Sequence, residues 1–189
     1  MARWGGLILL LFLAALPGSH AARFVGARGS LGSFEGVRAN IETAYGKWSP
    51  YFLAYVELNL SQGVVMVGYV VLPPGLWLIN DTPVRLTSTS AYVFSGASSQ
   101  NGSLMISMYG PPLPSGSLHT YELVDRGSGW SAYVDGRLIR VYDDLPSSAR
   151  CARFGISPTG RLVQNITFDE LAELQSTGWS ALPAGWRDV

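Results

Sequence analysis

The stretch SLHTYELVDRGSGWSAYVDGRLI, residues 117–139, alternates apolar and polar residues on either side of two tight turns. Residues 127–129 (Gly-Ser-Gly) form one turn and Asp135-Gly136 forms the next, because these residue types accept the backbone angles that such turns need. The residues between the turns that share one face are Trp130, Ala132 and Val134. The pattern predicts three consecutive antiparallel strands with this face directed into a core.

The rest of the chain repeats short strand signals separated by turn residues. Residues 51–60 alternate, with an apolar face of even-numbered residues and an amphipathic face of odd-numbered ones, and the nearly continuous apolar run 64–72 is typical of a central strand buried on both faces. About a dozen such strands predict an all-β protein, an antiparallel two-sheet β-sandwich of the jelly-roll type. Little helix is expected, and only residues 169–175 (DELAELQ) carry a helical pattern.

The chain divides into a leader, an arm and one domain. Residues 1–22 combine a basic start, a short apolar run and small residues near a cleavage point, which predicts a secretory signal peptide and a secreted or cell-surface protein without a membrane span. Residues 23–36 are predicted to be a flexible glycine-rich arm. Residues 37–189 are predicted to be a single sandwich domain, including a C-terminal strap, residues 169–189, that carries Trp179 and Trp186.

Charge and composition restrict the chemistry of the mature chain. Twelve basic and thirteen acidic residues remain after the leader, so no nucleic-acid partner is expected. With only His119 and Cys151 as soft ligands, an ordinary zinc site cannot be assembled, and Cys151 is predicted to be a buried, inert thiol. The sequons predict glycosylation on the surface at Asn59, Asn80, Asn101 and Asn165.

Two family resemblances follow from these residues. HTYEL and GSGWSAYVDGRLI resemble the hairpin of concanavalin A-like lectin and glucanase jelly rolls, including laminin-G-like and laminarinase-type domains. More weakly, GVRANIETAY and YFLAYVELNLSQGVVMVGYVV resemble the opening strands of secreted glutamic peptidases, which share that sandwich. Together these segments cover about two-thirds of the mature chain. They imply the fold, but this fold hosts binders, enzymes and structural subunits alike.

Neither family's catalytic set is present in full. The E-x-D-x-x-E strand of laminarinase-type hydrolases is missing, and FDELAE (168–173) carries its acids at helical spacing. Met66 stands where the resemblance to glutamic peptidases implies a glutamine, and Gln62 falls in a turn.

The remaining strand-borne acids could serve a hydrolase only if they converged, and these candidates are Glu57 with Glu42, Glu122 or Asp135. A Ser-His-Asp arrangement around His119 stays open, although no Gly-x-Ser-x-Gly elbow marks a nucleophile, and a structural role for His119 is favoured.

A binding face is the more specific prediction. Tyr51, Tyr55 and Glu57 share the outward face of one strand, and Tyr121 and Tyr133 are expected to face the same way, as in sheets that stack tyrosine rings on sugars. The alternative is that the strap packs over these rings. No cofactor is required, and calcium is a candidate ligand of loop-adjacent aspartates, although turn formation explains them without a metal. These residues are Asp135, Asp143 and Asp144.

Three functions compete on these grounds. The first is a secreted, non-catalytic, lectin-like module that binds carbohydrate. The alternative is a structural subunit of an extracellular filament or cell-surface layer, which would associate with further copies through the N-terminal arm. The third is a diverged glycoside hydrolase or glutamic-peptidase-like enzyme.

Overall fold

The computed structural model describes residues 25–30, 35–99, 104–146, 149–158, 166–182 and 187–188, which form fifteen strands and no helix. The predicted signal peptide lies outside these residues. The strands are β1 (Val25–Ser30), β2 (Gly36–Glu42), β3 (Phe52–Leu60), β4 (Gly63–Leu72), β5 (Gly75–Ile79), β6 (Thr82–Leu86), β7 (Ser90–Ser99), β8 (Met105–Leu113), β9 (Leu118–Asp125), β10 (Trp130–Val134), β11 (Arg137–Tyr142), β12 (Ala149–Pro158), β13 (Phe168–Gln175), β14 (Gly178–Ala181) and β15 (Arg187–Asp188).

The strands form two antiparallel sheets and a separate hairpin. The seven-stranded sheet has the order β15-β1-β12-β3-β4-β7-β8, and the six-stranded sheet has the order β11-β10-β9-β2-β13-β14. The hairpin pairs β5 with β6. This arrangement confirms the prediction of an all-β, antiparallel sandwich.

The main core lies between the two sheets. The even-numbered residues of β3 and the alternate residues of β10 point into it, as the sequence predicts, and Trp130 and Ala132 are fully buried there. Trp130 also donates a hydrogen bond from Nε1 to the carbonyl of Pro146 at 2.9 Å. The indole nitrogen is therefore satisfied although the ring is buried, as buried tryptophan requires.

A second apolar cluster covers the other side of the seven-stranded sheet. Odd-numbered residues of β3 and even-numbered residues of β4 pack there beneath the β5–β6 hairpin, which contributes Ile79. The hairpin turn is held to β8, because the backbone N–H of Asn80 donates to the carbonyl of Met108 at 2.9 Å. Strand β4 is thus buried on both faces, as its continuous apolarity predicts.

The helix expected over residues 169–175 is wrong. These residues belong to β13, which pairs with β2 on one side and β14 on the other. Helix propensity is a weak local preference, and sheet pairing on both edges overrides it here. The pairing of β13 with β2 is interrupted by a bulge between Asp169 and Ala172, which contains Glu170.

Parts of the predicted arm and strap are also sheet strands. Val25–Ser30 of the arm is β1, which pairs with β12 of the same chain. Trp179 of the strap lies on β14 at the edge of the six-stranded sheet, while Trp186 lies outside the described residues. Self-association through this arm would therefore have to open the pairing of β1 with β12. In the part of the chain that is described, no helix is long and apolar enough to cross a membrane.

Replacing Gly68 by alanine should strongly destabilise the seven-stranded sheet. A Cβ at Gly68 would collide with the carbonyl oxygen of Ala54 and lie 2.8 Å from the Cα of Tyr55. Because both are backbone atoms of β3, relief requires the strands to separate. We expect Gly68→Ala to lower the free energy of unfolding by about 3 kcal/mol or more, measured by urea denaturation.

Gly127→Ala is the matched control. Gly127 has a φ of +81°, and nothing lies within 4 Å of a Cβ added there. Its cost should therefore be limited to backbone strain of about 1–2 kcal/mol. Equal midpoints for the two variants would contradict the predicted collision.

Candidate functional site

The structure separates the tyrosines that the sequence placed on one face. Val134 pairs with Tyr121, and Tyr133 pairs with Glu122, so Tyr121 and Tyr133 lie on opposite faces of the six-stranded sheet. Tyr121 is fully buried in the main core, and the expectation that it faces a ligand is wrong. Which face each tyrosine occupies depends on the pairing register of β9 with β10, and the sequence pattern alone does not determine that register.

The remaining tyrosines already have partners. Tyr51 stacks on Trp77 of the hairpin, with ring centroids 6.0 Å apart and planes 16° from parallel. Tyr55 is nearly fully buried in the second cluster. Tyr133 accepts a hydrogen bond from Arg126 Nη2 at 2.6 Å on the outer face of the other sheet. The predicted stacking platform of four tyrosines does not form.

Glu57 lies in a polar trio beside Tyr55, on the face of the seven-stranded sheet opposite the main core. Asn59 Nδ2 donates to Glu57 Oε1 at 2.9 Å, and Arg153 Nη1 lies 3.2 Å from the same oxygen. Burial raises the pKa of Glu57, while the charge of Arg153 and the hydrogen bonds from Asn59 and Arg153 oppose the rise. Burial likewise raises the pKa of Tyr55 to about 12, with a smaller contribution from the charge of Glu57.

No acid pair forms around Glu57 among its sheet neighbours. Its cross-strand neighbours are Met66 on β4 and Arg153 on β12. Glu122 and Asp135 belong to the six-stranded sheet and its β10–β11 turn, and Glu42 ends β2 of that sheet. The paired carboxylates that glycoside hydrolysis needs are therefore not brought together by the candidates the sequence offered.

No glutamine lies on β3 or its neighbours β4 and β12, where the peptidase resemblance implies a partner for a glutamate. Met66 is buried beside Glu57, and Gln62 is exposed in the β3–β4 turn. The side-chain amide that binds Glu57 is that of Asn59.

A shallow groove opens on the outer face of the six-stranded sheet, at its β13–β14 edge. We call it the Trp179 groove; it has a volume of about 290 Å³. Its lining residues are Arg38, Glu170, Leu171, Ala172, Trp179, Ser180 and Ala181. Ala172 and Ala181 are direct cross-strand partners, so two methyl groups form a low floor beside the Trp179 ring.

Arg38 connects this groove to the centre of the sheet. Its guanidinium carbon lies 4.7 Å from the centroid of the Trp179 ring, a cation–π distance. Its Nη1 lies 3.9 Å from Glu122 Oε1 on β9. Burial raises the pKa of Glu122, while the charges of Arg38 and Arg126 oppose the rise.

Glu170 is held in an unusual backbone conformation at the groove. Its φ of 48° lies in the left-handed region, which costs a non-glycine residue roughly 1–2 kcal/mol. Thr120 Oγ1 donates to Asn40 Oδ1 at 2.7 Å, and Asn40 Nδ2 donates to Glu170 Oε2 at 3.0 Å. This chain orients the Asn40 amide and fixes the carboxylate. The sequence suggested no role for Glu170, because its acid-rich segment was predicted to be helical.

The structure does not bring the calcium candidates together. Asp135 precedes β11 and Asp143 and Asp144 follow it, so a six-residue strand separates them by roughly 20 Å. Asp135 is engaged with His119 and with the amide of Thr120. No group of three or more His, Cys, Asp or Glu side chains suited to a metal occurs within the described ranges.

His119 bridges two polar side chains at one end of the sandwich. Its Nδ1 lies 2.7 Å from Asp135 Oδ2, and its Nε2 lies 2.9 Å from Ser117 Oγ. Asp135 Oδ1 also accepts the Thr120 amide at 2.9 Å, so the β10–β11 turn is tied to β9. We call Ser117, His119 and Asp135 the end cluster. The sequence identified His119 and Asp135 separately but not their contact.

The other sequence-predicted sites divide by location. Cys151 is buried and free on β12, as expected for an inert thiol. Asn59 uses its side-chain nitrogen to bind Glu57, whereas Asn80 is exposed in the β5–β6 turn. Asn101 and Asn165 lie outside the described residues.

Comparison with known proteins finds the fold but no family. No protein-family model and no curated protein sequence matches the chain. Scytalido-glutamic peptidase with a transition-state-analogue inhibitor aligns with a TM-score of 0.59 at 12% identity, over 89% of this chain and 87% of that one. SCP-B, an eqolisin-family peptidase in complex with the tripeptide Ala-Ile-His, gives 0.50 at 12% identity over the same shares.

A galectin, LEC-6 from Caenorhabditis elegans, gives a TM-score of 0.43 at 11% identity, over 72% of this chain and 91% of that one, which is too weak to support an argument. The alignments to the peptidases show a shared β-sandwich, but at 12% identity they show nothing about activity. The peptidase part of the resemblance seen in the sequence is thus supported at the level of the fold.

Glu57→Gln should change how stability depends on pH. Burial raises the folded-state pKa of Glu57 above its unfolded value, so its contribution to the free energy of unfolding is full below the unfolded pKa and is lost as pH rises through the folded one. Glutamine does not titrate. The stability of the wild type minus that of the variant should therefore fall as the pH rises above about 4, the region where an unfolded glutamate titrates, as measured by urea denaturation.

Glu35→Gln, at an exposed position just before β2, is the control for removing one surface carboxylate. It should lack this fall. A wild-type advantage over Glu57→Gln that grows with pH would show that the ion pair with Arg153 outweighs burial.

Proposed function

We propose that this protein is a secreted carbohydrate-binding module whose sugar site is the Trp179 groove. One observation carries the proposal: an indole ring, a guanidinium and a carboxylate line one shallow groove above a floor of alanine methyls. This combination provides an apolar platform together with both kinds of hydrogen-bonding group, which is what a pyranose ring with its hydroxyls requires.

The indole of Trp179 supplies the stacking surface. The ring is partly exposed, and its neighbours Ala172 and Ala181 are small, so they leave space beside it. Arg38 packs at 4.7 Å from the ring centroid and keeps the indole from rotating freely. Pre-ordered aromatic surface lowers the entropic cost of binding.

Hydroxyl recognition falls to two side chains. The Glu170 carboxylate accepts, and the Arg38 guanidinium donates. Glu170 is already held by Asn40 through Oε2, so its acceptor geometry is set before a ligand arrives. The strained φ of Glu170 is consistent with such a role, because bulges that re-aim side chains are frequent at binding sites.

The charges favour a neutral ligand over an anionic one. Arg38 is flanked by Glu122 at 3.9 Å, and Glu170 lines the same groove, so the guanidinium charge is largely offset. A phosphate or carboxylate would meet Glu170 directly. A neutral polyhydroxylated ligand encounters no such repulsion.

The peptidases of similar fold favour a competing function, peptide binding or hydrolysis on the seven-stranded sheet. The trio of Glu57, Asn59 and Arg153 is the polar group on that face that would serve it. Two features weigh against it: Met66 stands beside Glu57, and the Tyr55 ring is buried. Peptide turnover that is lost in Glu57→Gln would favour this function over sugar binding.

Trp179→Ala should weaken sugar binding at least tenfold, because it removes the stacking surface; a tenfold change corresponds to about 1.4 kcal/mol. A glycan array identifies the ligand, and isothermal titration compares the wild type with the variant. Glu170→Gln should also weaken binding, since a neutral amide is a poorer acceptor for hydroxyls than a carboxylate.

Trp48→Ala is the matched control. Trp48 is also exposed and also carries a cation, Lys47 Nζ at 5.0 Å from its ring centroid, but it does not line the groove. It should bind like the wild type. The proposal fails if the folded wild type binds no glycan, or if Trp179→Ala binds as tightly as Trp48→Ala.

A further inference from the structure

The end cluster has the order carboxylate, imidazole, hydroxyl. Asp135 Oδ2 lies 2.7 Å from His119 Nδ1, and Ser117 Oγ lies 2.9 Å from His119 Nε2. Each nitrogen of the ring thus faces one oxygen. This is the arrangement in which a carboxylate orients an imidazole so that the imidazole can take a proton from a serine.

Hydrogen-bond roles follow from the acceptors present. A carboxylate accepts, so Nδ1 of neutral His119 carries the hydrogen and Nε2 presents its lone pair to Ser117. The Ser117 hydroxyl has a second acceptor, the carbonyl of Pro114 at 2.7 Å. Its single hydrogen is shared between this carbonyl and Nε2, and a substrate that displaces the hydroxyl from Pro114 leaves His119 as the acceptor.

The cluster is reached from solvent. The Asp135 side chain is 53% exposed, and the His119 side chain is 19% exposed. Ser117 is half-buried, while its neighbours Ser115 and Gly116 are exposed. Reagents in solution therefore have a path to this end of the sandwich.

We propose that Ser117 is a nucleophile that accepts acyl groups from carboxylic esters. His119 activates Ser117, and Asp135 orients His119. In this step Ser117 Oγ bonds to the ester carbonyl carbon and its proton passes to His119 Nε2. His119 then gives that proton to the departing alkoxide as the ester C–O bond breaks. Water hydrolyses the acyl-serine by the reverse proton transfers, which returns Ser117 and His119 to their starting states.

The backbone amides of Gly116 and Ser117 are not available to stabilise an oxyanion, which limits the rate of turnover. The Gly116 amide donates to the Thr43 carbonyl at 2.6 Å, and the Ser117 amide donates to the Pro114 carbonyl at 3.3 Å. These two groups are therefore committed and do not serve an oxyanion. One such donor is worth roughly 10²–10³ in rate. We expect acylation of Ser117 by activated esters to be readily detected, followed by slow release.

The full chain should react with a fluorophosphonate probe at Ser117, located by peptide mass spectrometry. The phosphorus–oxygen bond forms as fluoride leaves and His119 takes the proton. With p-nitrophenyl acetate, nitrophenolate should appear in a burst of about one equivalent before a slow phase, the kinetic sign of an accumulating acyl-enzyme.

Variants separate activation from simple accessibility. Ser117→Ala should lose the adduct, and His119→Ala should slow labelling by about 100-fold or more, with partial recovery when imidazole is added. Ser115→Ala, a neighbouring exposed serine, should label like the wild type. Circular dichroism establishes that each variant is folded.

Asp135 is a positioning residue in this scheme. Asp135→Asn keeps an oxygen that can accept the Thr120 amide, so its melting temperature should stay near that of the wild type while labelling slows at least tenfold. The proposal is overturned if folded wild type forms no adduct at Ser117. It is also overturned if His119→Ala or folded Asp135→Asn labels as fast as the wild type.

Discussion

The register between β9 and β10 is the constraint on which the rest of the structure depends. Tyr121 lies opposite Val134 and Glu122 lies opposite Tyr133, so one set of residues enters the core and the other faces outward. A slip of one position would expose Trp130 and bury Glu122. The same register carries Asp135, the next residue after β10, to His119 at the end of the sandwich. The β9–β10 register therefore determines both the core face of these strands and the end cluster.

The two sheets use their outer faces differently. The seven-stranded sheet is covered by the β5–β6 hairpin, and the polar trio around Glu57 is held there at the cost of removing a carboxylate from water. The six-stranded sheet keeps Arg38, Glu170 and Trp179 at its surface, where charged groups retain solvent on one side. Polar groups on that face can exchange water for a ligand at lower cost, which is why we propose the Trp179 groove as the binding site.

The chain shares its fold with peptidases, but different side chains stand on the faces and at the ends of its sandwich. An alignment over 89% of the chain at 12% identity shows that the sandwich tolerates almost complete replacement of its side chains. Function on such a scaffold is decided by the few residues that stand at a face or an end. In this chain Met66 lies beside Glu57, while the strained Glu170 and the contact between His119 and Ser117 lie on the other sheet.

Local patterns in the sequence determined the strands and their buried faces. Alternation placed Trp130 and Ala132 in the core, and continuous apolarity placed residues 64–72 at the centre of a sheet, because side-chain direction in a strand has a period of two. Only the tertiary structure decided the rest. Residues 169–175 became a strand through pairing with β2 and β14, and Tyr121 turned inward through its register. Strand pairing brought Trp179 into contact with Arg38, and the β10–β11 turn brought Asp135 into contact with His119, which also contacts Ser117. Such contacts join distant segments, and no local preference encodes them.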